Sequence, residues 1–275
     1  MKKRIVIIFS VFFLCASMHV DSLSWAWSLS DLLSKKDSPK ETKKPNTTIV
    51  VLLDKTASIK DQTTVFKSAI NTVFKELKPG DRFRLAEITG DSASDFDFNV
   101  SLNIPNKPKY SMLTSNSSEY TEKLNIFNKK VSEQKEKAKE KTYKELDKKP
   151  TAMTTDLFGA IYTANLYLKK EKNRKILLIL SDMIEEDQNW RFNKIHWNNA
   201  IEKKILNKQK TLSLIPNMDG ACVIVVGAKA SSLSREQWIR KFWGDFFKDS
   251  NATFDDSMYS HTLLTWPEDA SCGKK

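Results

Sequence analysis

Three short stretches of this chain hold only apolar residues, rich in Ile and Val: Ile49 to Leu53 behind Thr48, Ile176 to Leu180 behind Lys175, and Ala221 to Val226. A strand with one wet face alternates polar and apolar side chains. A strand with no polar position must be covered on both faces, as a central strand of a parallel sheet is. Parallel neighbours need a crossover of a dozen or more residues, usually a helix, and the intervening sequence supplies them. Residues 61–77 place Val65, Phe66, Ala69, Ile70, Val73, Phe74 and Leu77 at helical spacing, and Pro79-Gly80 stops the run. Residues 156–170 repeat the pattern with Leu157, Ala160, Ile161, Ala164 and Leu168. A last helix is expected to open at Ser234, with Gln237 completing a capping box, and to turn Trp238, Ile239, Phe242, Trp243, Phe246 and Phe247 toward the core. Phe83 to Ile88 reads as a further strand, Phe96 to Ile104 as an alternating antiparallel edge strand, and Tyr259 to Trp266 as a final strand. The expected fold class is α/β: a doubly wound, mostly parallel central sheet with helices on both faces.

The flanks are of a different kind. Lys2, Lys3 and Arg4 precede an uncharged apolar run from Ile5 to Met18, the form of a secretory signal peptide over residues 1–22, with an uncleaved membrane anchor as the alternative. The expected location is periplasmic or extracellular, with membrane contact through this segment only. Residues 23–46 read as a linker, 47–266 as the α/β domain and 267–275 as a tail. Signal removal leaves Cys222 and Cys272, which an oxidising compartment could join or leave as thiols. The length suits one such domain with accessories.

Glu119 to Lys149 contains no Gly or Pro and reads as a long inserted helix, docked at its start by Leu124, Phe127 and Val131, its later half a solvated charged face. The chain carries 45 Lys and Arg against 34 Asp and Glu, a formal +11, which invites a nucleic-acid reading. The excess is concentrated elsewhere. Residues 129–149 hold nine Lys against five acids, and residues 35–44 hold five Lys against two. Within residues 129–149 the lysines are interleaved with acids and accompanied by one aromatic, Tyr143, so no nucleic-acid partner is expected. A spacer or partner-docking arm fits the segment better.

Ligands of such sheets bind outside the carboxyl ends of the strands. There the chain places Asp54-Lys55-Thr56-Ala57-Ser58 after the first apolar run, Thr154-Thr155-Asp156 before a helix, and Ser181-Asp182 after another run. Carboxylates and hydroxyls without soft ligands suit a hard cation. These three fragments, in this order, resemble the von Willebrand factor type A domain with its metal-ion-dependent adhesion site, written D-x-S-x-S, then a distant Thr, then a distant Asp. Thr155-Asp-Leu-Phe-Gly-Ala160, Val225-Val-Gly-Ala228 and the aromatic last helix add to the likeness, which covers roughly residues 47–266. The resemblance implies a Rossmann-like fold and a divalent cation, Mg²⁺ first with Mn²⁺ or Ca²⁺ as alternatives. It implies Thr56, Ser58 and Thr155 as direct ligands, with Asp54 and Asp182 acting directly or through water. An acidic group of a protein partner would complete the shell. Thr56 stands where the family usually has Ser, so a scaffold that has lost its metal is an alternative.

Two further readings compete. Asp54, Thr155 and Asp182 are also residue types that cap helices and make turns. A Mg²⁺-dependent phosphatase of the haloacid dehalogenase type would use Asp54 as its nucleophile, but needs a second Asp where this chain has Thr56. Glu185, Glu186 and Asp187 read as solvated loop residues that could tune the charge of the site. No Gly-x-Ser-x-Gly elbow, Gly-rich phosphate loop or paired-cysteine metal motif occurs. The expected function is binding rather than catalysis.

Overall fold

In the computed structural model the described residues are 45–110, 116–150, 152–263, 266 and 272. The expected signal peptide and nearly all of the linker lie outside them. Among these residues six strands form one sheet: β1 (Thr47–Asp54), β2 (Arg82–Ile88), β3 (Phe98–Asn103), β4 (Arg174–Leu180), β5 (Ala221–Val226) and β6 (Tyr259–Ser260). Their order is β3-β2-β1-β4-β5-β6, parallel throughout except that β3 pairs antiparallel with β2 at the edge. The apolar runs β1, β4 and β5 are therefore neighbours at the centre of the sheet. The direction of winding reverses between β1 and β4, the place where ligands of such sheets bind outside the strand ends.

The helices are α1 (Thr63–Glu76), α2 (Ser117–Asp147), α3 (Leu157–Leu168), α4 (Asn199–Thr211) and α5 (Leu233–Asp249). Strand periodicity sorts the core into two layers. Ile49, Val51 and Leu53 of β1 with Ile176, Leu178 and Leu180 of β4 pack among Phe66, Ile70, Val73 and Phe74 of α1. Val50, Leu52, Leu177 and Ile179 pack on the other face among residues of α3, α4 and α5. The second layer is dense in aromatics: Phe158 of α3 lies 5.1 Å from Trp243, and Phe192 lies 5.0 Å from Phe242, ring centre to ring centre.

Several local expectations are corrected. The last helix is capped by Ser232, whose hydroxyl accepts from the Arg235 amide, so no Ser234–Gln237 box forms. Leu233, which is exposed, takes the first helical position. The final strand is two residues long, Tyr259–Ser260, because its carboxyl end breaks away to bond Gly227 and Ala228. The long helix docks mainly by its second half: its buried residues are Ala138, Thr142, Glu145 and Leu146, while of the expected Leu124, Phe127 and Val131 it is Val131 that packs against the core. Small side chains let α2 approach α1 there. Tyr143 donates to the Lys67 carbonyl at 3.4 Å, and Lys67 pairs with Asp147 at 2.7 Å.

A disulfide joins Cys222, on β5, to Cys272, with Cα atoms 5.2 Å apart. Both residues are buried in the α1 layer, which the tail thereby reaches. The cross-link spans 50 positions, a loop whose closure in the unfolded chain stabilises by about 4 kcal/mol in the chain-entropy model. Urea unfolding of the Cys222→Ser/Cys272→Ser variant should show a loss of about 2–5 kcal/mol against the oxidised protein. Equal midpoints for the two would mean that the bond contributes nothing to stability.

Candidate functional site

The register of β1 against β4 pairs Leu53 with Leu180, so the next residues, Asp54 and Ser181, meet at the carboxyl ends of the two central strands. Asp54 is wholly buried. Its Oδ1 accepts from the Thr56 amide at 2.9 Å and from the Thr56 hydroxyl at 2.8 Å; its Oδ2 accepts from the Ser181 hydroxyl at 2.7 Å. It makes no ion pair among the described residues. Burial pushes its carboxyl up from the ordinary aspartate range, and the bonds from Ser181 and Thr56 partly oppose that.

The neighbouring cation points elsewhere. Lys55 is 2 % exposed, yet its ammonium donates to the carbonyls of Glu145 at 3.0 Å and Lys148 at 2.5 Å, at the C-terminal end of α2. That is where a positive charge meets unbonded carbonyls and the negative end of the helix dipole.

The second fragment reaches the same place. Thr56 forms a parallel bridge with Ala152, and Thr155 an antiparallel bridge with Glu186. Thr155 is 3 % exposed, its amide bound to the Glu186 carbonyl at 2.8 Å. The cap of α3 is Asp156, which accepts from the Gly159 amide at 2.7 Å, so Thr155 is not serving as that cap. Thr154 packs against Gly90. Asp182 is nearly buried and accepts from the Ile184 amide at 3.0 Å. The structure thus joins Asp54 and Thr56 at the end of β1, and places Asp182 just past the end of β4 and Thr155 against the loop after β4. The Ser58 side chain lies outside the described residues.

Two residues of this cluster carried little signal in sequence. Ser181 accepts from the Met183 amide at 2.9 Å while donating to Asp54, so it braces the carboxylate with both of its functions. The register with Asp54 is what singles it out. Glu185 corrects the expectation of a solvated loop: it is fully buried, and its Oε2 accepts from the Leu157 amide at 2.8 Å, at the head of α3. Burial first, then the charges of Asp156 and Asp187, hold its carboxyl well above the ordinary glutamate range. Met183, between these acids, adopts φ 64° and is held through its carbonyl by Trp243 Nε1 at 2.9 Å. That bond ties the loop after β4 to the aromatic layer.

The donor chemistry fits a hard cation. The oxygens near the strand ends are carboxylates and hydroxyls, the donor class that Mg²⁺ takes with waters; among the described residues no three His, Cys, Asp or Glu side chains converge on a metal. The Thr56 hydroxyl donates to Asp54, whereas the Ser181 hydroxyl both donates to Asp54 and accepts from the Met183 amide.

No protein-family model matches the chain, and no curated protein matches it in sequence. Among solved structures it is similar to the pilus adhesin SpaC of Lactobacillus rhamnosus GG in an open conformation, at 11 % identity and a TM-score of 0.43, over 84 % of this chain and 29 % of that one. It is similar to the manganese-loaded TRAP protein of Plasmodium vivax at 12 % identity and a TM-score of 0.34, over 73 % and 63 % of the two chains. The third is a von Willebrand factor type A protein from Catenulispora acidiphila, at 12 % identity and a TM-score of 0.36, over 75 % and 43 %. The chain spans between about a third and two thirds of the length of these neighbours. Among the described residues no helix is long and apolar enough to cross a membrane.

Glu185 makes the site's environment measurable. The unfolded chain releases this proton at lower pH than the folded one, so the stability contribution of Glu185 falls as pH rises from the ordinary glutamate range through the raised value. In urea unfolding between about pH 5 and 8, Glu185→Gln should flatten the decline by up to about 1.4 kcal/mol per pH unit. Parallel pH profiles for parent and variant would contradict the burial argument.

Proposed function

We propose that the protein is an exported binding domain of the von Willebrand factor type A kind, whose site holds a divalent cation and, through it, an acidic group of a protein partner. The observation that carries this reading is Asp54: a fully buried carboxylate whose two oxygens are met by hydroxyls and an amide rather than by a cation. An ionised carboxylate so placed is costly unless a positive charge lies near. Bound there, an ion supplies the localised positive charge that an outside carboxylate can engage. Asp54 and Asp182 supply negative charge, directly or through water. Thr56, Thr155 and Ser58 offer hydroxyl ligands, and Ser181 fixes the orientation of Asp54. Mg²⁺ is the first choice of ion for this oxygen set, with Mn²⁺ and Ca²⁺ as alternatives.

The phosphatase reading finds less support. A nucleophilic Asp54 would need a second carboxylate two residues on, and Thr56 stands in that position. Export rests on the basic, then apolar, N-terminal sequence.

Titration of the protein with Mg²⁺, Mn²⁺ and Ca²⁺ by calorimetry and thermal shift tests the reading. Metal at a hundred times its Kd should stabilise the parent by about 2.7 kcal/mol. Asp54→Asn and Asp182→Ala should lose that response. Identical responses in the parent and both variants would overturn the proposal, and phosphate release from an aryl phosphate that is lost in Asp54→Asn would favour the phosphatase.

A further inference from the structure

The long helix α2 is docked along its second half, and its C-terminal end lies against the loop that follows β1. All its buried residues lie between Ala138 and Leu146, whereas Ile126, in the first half, is 62 % exposed. Its 31 residues make a rod about 46 Å long. Three bonds fasten its C-terminus to the loop that follows β1. Lys55, lying between Asp54 and Thr56, inserts its ammonium among the carbonyls of Glu145, Leu146 and Lys148. A few residues further on, the chain leaving the helix bridges Thr56 through Ala152 and then runs directly into Thr155. The end of α2 therefore grips the Asp54–Thr56 loop from one side and leads covalently to the third ligand fragment on the other.

We propose that Lys55 is a positioning residue that couples α2 to the candidate metal loop, so that occupancy of the site and docking of the helix end favour one another. The inference rests on the metal reading above. The Lys55 ammonium, bonded to the helix carbonyls, restrains the backbone between Asp54 and Thr56 from one side. A cation on Asp54 and Thr56 would restrain the same backbone from the other. Coupling of this kind is reciprocal: whatever tightens one end tightens the other by the same factor. A partner that grips the exposed half of α2 would act on the ion through this joint.

Hydrogen exchange of the full protein, with and without Mg²⁺ and with Mn²⁺ as a second probe, tests this beside calorimetric Kd values. The expected result is that saturating metal slows amides of residues 143–149 and 152–156 by about fivefold or more beyond any slowing of α4, the lower end of ordinary coupling between sites. In Lys55→Met the extra protection should vanish and the Kd should rise by about tenfold, as when a group that orients a metal ligand is removed. Metal binding with protection equal in α2 and α4 overturns the coupling alone, as does an unchanged Kd in a folded Lys55→Met variant. Failure of the parent to bind either ion overturns the metal reading and the coupling with it. Should Lys55→Met not fold, the exchange pattern of the parent still decides.

Discussion

A carboxylate at the end of β1, buried and bonded to two hydroxyls and an amide, sets the terms for everything near it. Burying Asp54 is costly, and burial raises its pKa. The structure answers with a fixed surround: Thr56 on one oxygen, Ser181 on the other, and Ser181 itself pinned by the Met183 amide. The loop after β4 must then turn sharply. Met183 takes a left-handed backbone, and Trp243, in the aromatic layer, grips its carbonyl. The rigidity of the helix layer is thus delivered to the acid at the strand end.

The same economy governs the two lysines that fasten α2. Lys55 reaches from the sheet to the C-terminal carbonyls of α2, and Lys135 reaches from α2 to the Leu77 carbonyl just past the end of α1. Each helix end finds its cation in another element. Neither ammonium is spent on the acids of the site. Burial lowers the pKa of both groups, and neighbouring acids oppose the shift. One positive charge of the inserted segment, Lys135, is thus used structurally.

Much of this was legible in sequence because burial on both faces leaves a plain mark. Runs with no polar position could only become β1, β4 and β5, and the helical spacing of Phe66, Ile70 and Phe74 named the face of α1. The hydroxyl and carboxylate fragments at the strand ends were legible for the same reason, since the strand ends themselves were. What stayed hidden depends on pairing between distant segments. Ser181 matters only because register sets it beside Asp54. Glu185 looks solvated among Glu186 and Asp187 until the Leu157 amide is brought to it. The docking face of α2 escaped notice because Ala138 and Thr142 are small and the helix around them is charged, so its apolar stripe is faint. Ser232 displaced Ser234 as a cap because local capping preferences are similar for both and the final choice lies with the packing of the helix behind them.

The central claim is that a divalent ion belongs beside Asp54. Anomalous diffraction from crystals of the protein soaked in Mn²⁺ tests it most directly. The account predicts one strong manganese peak at the carboxyl ends of β1 and β4, within bonding distance of the Thr56 hydroxyl and lost in Asp54→Asn. A map with no peak there, or with manganese only at scattered surface acids, would contradict it.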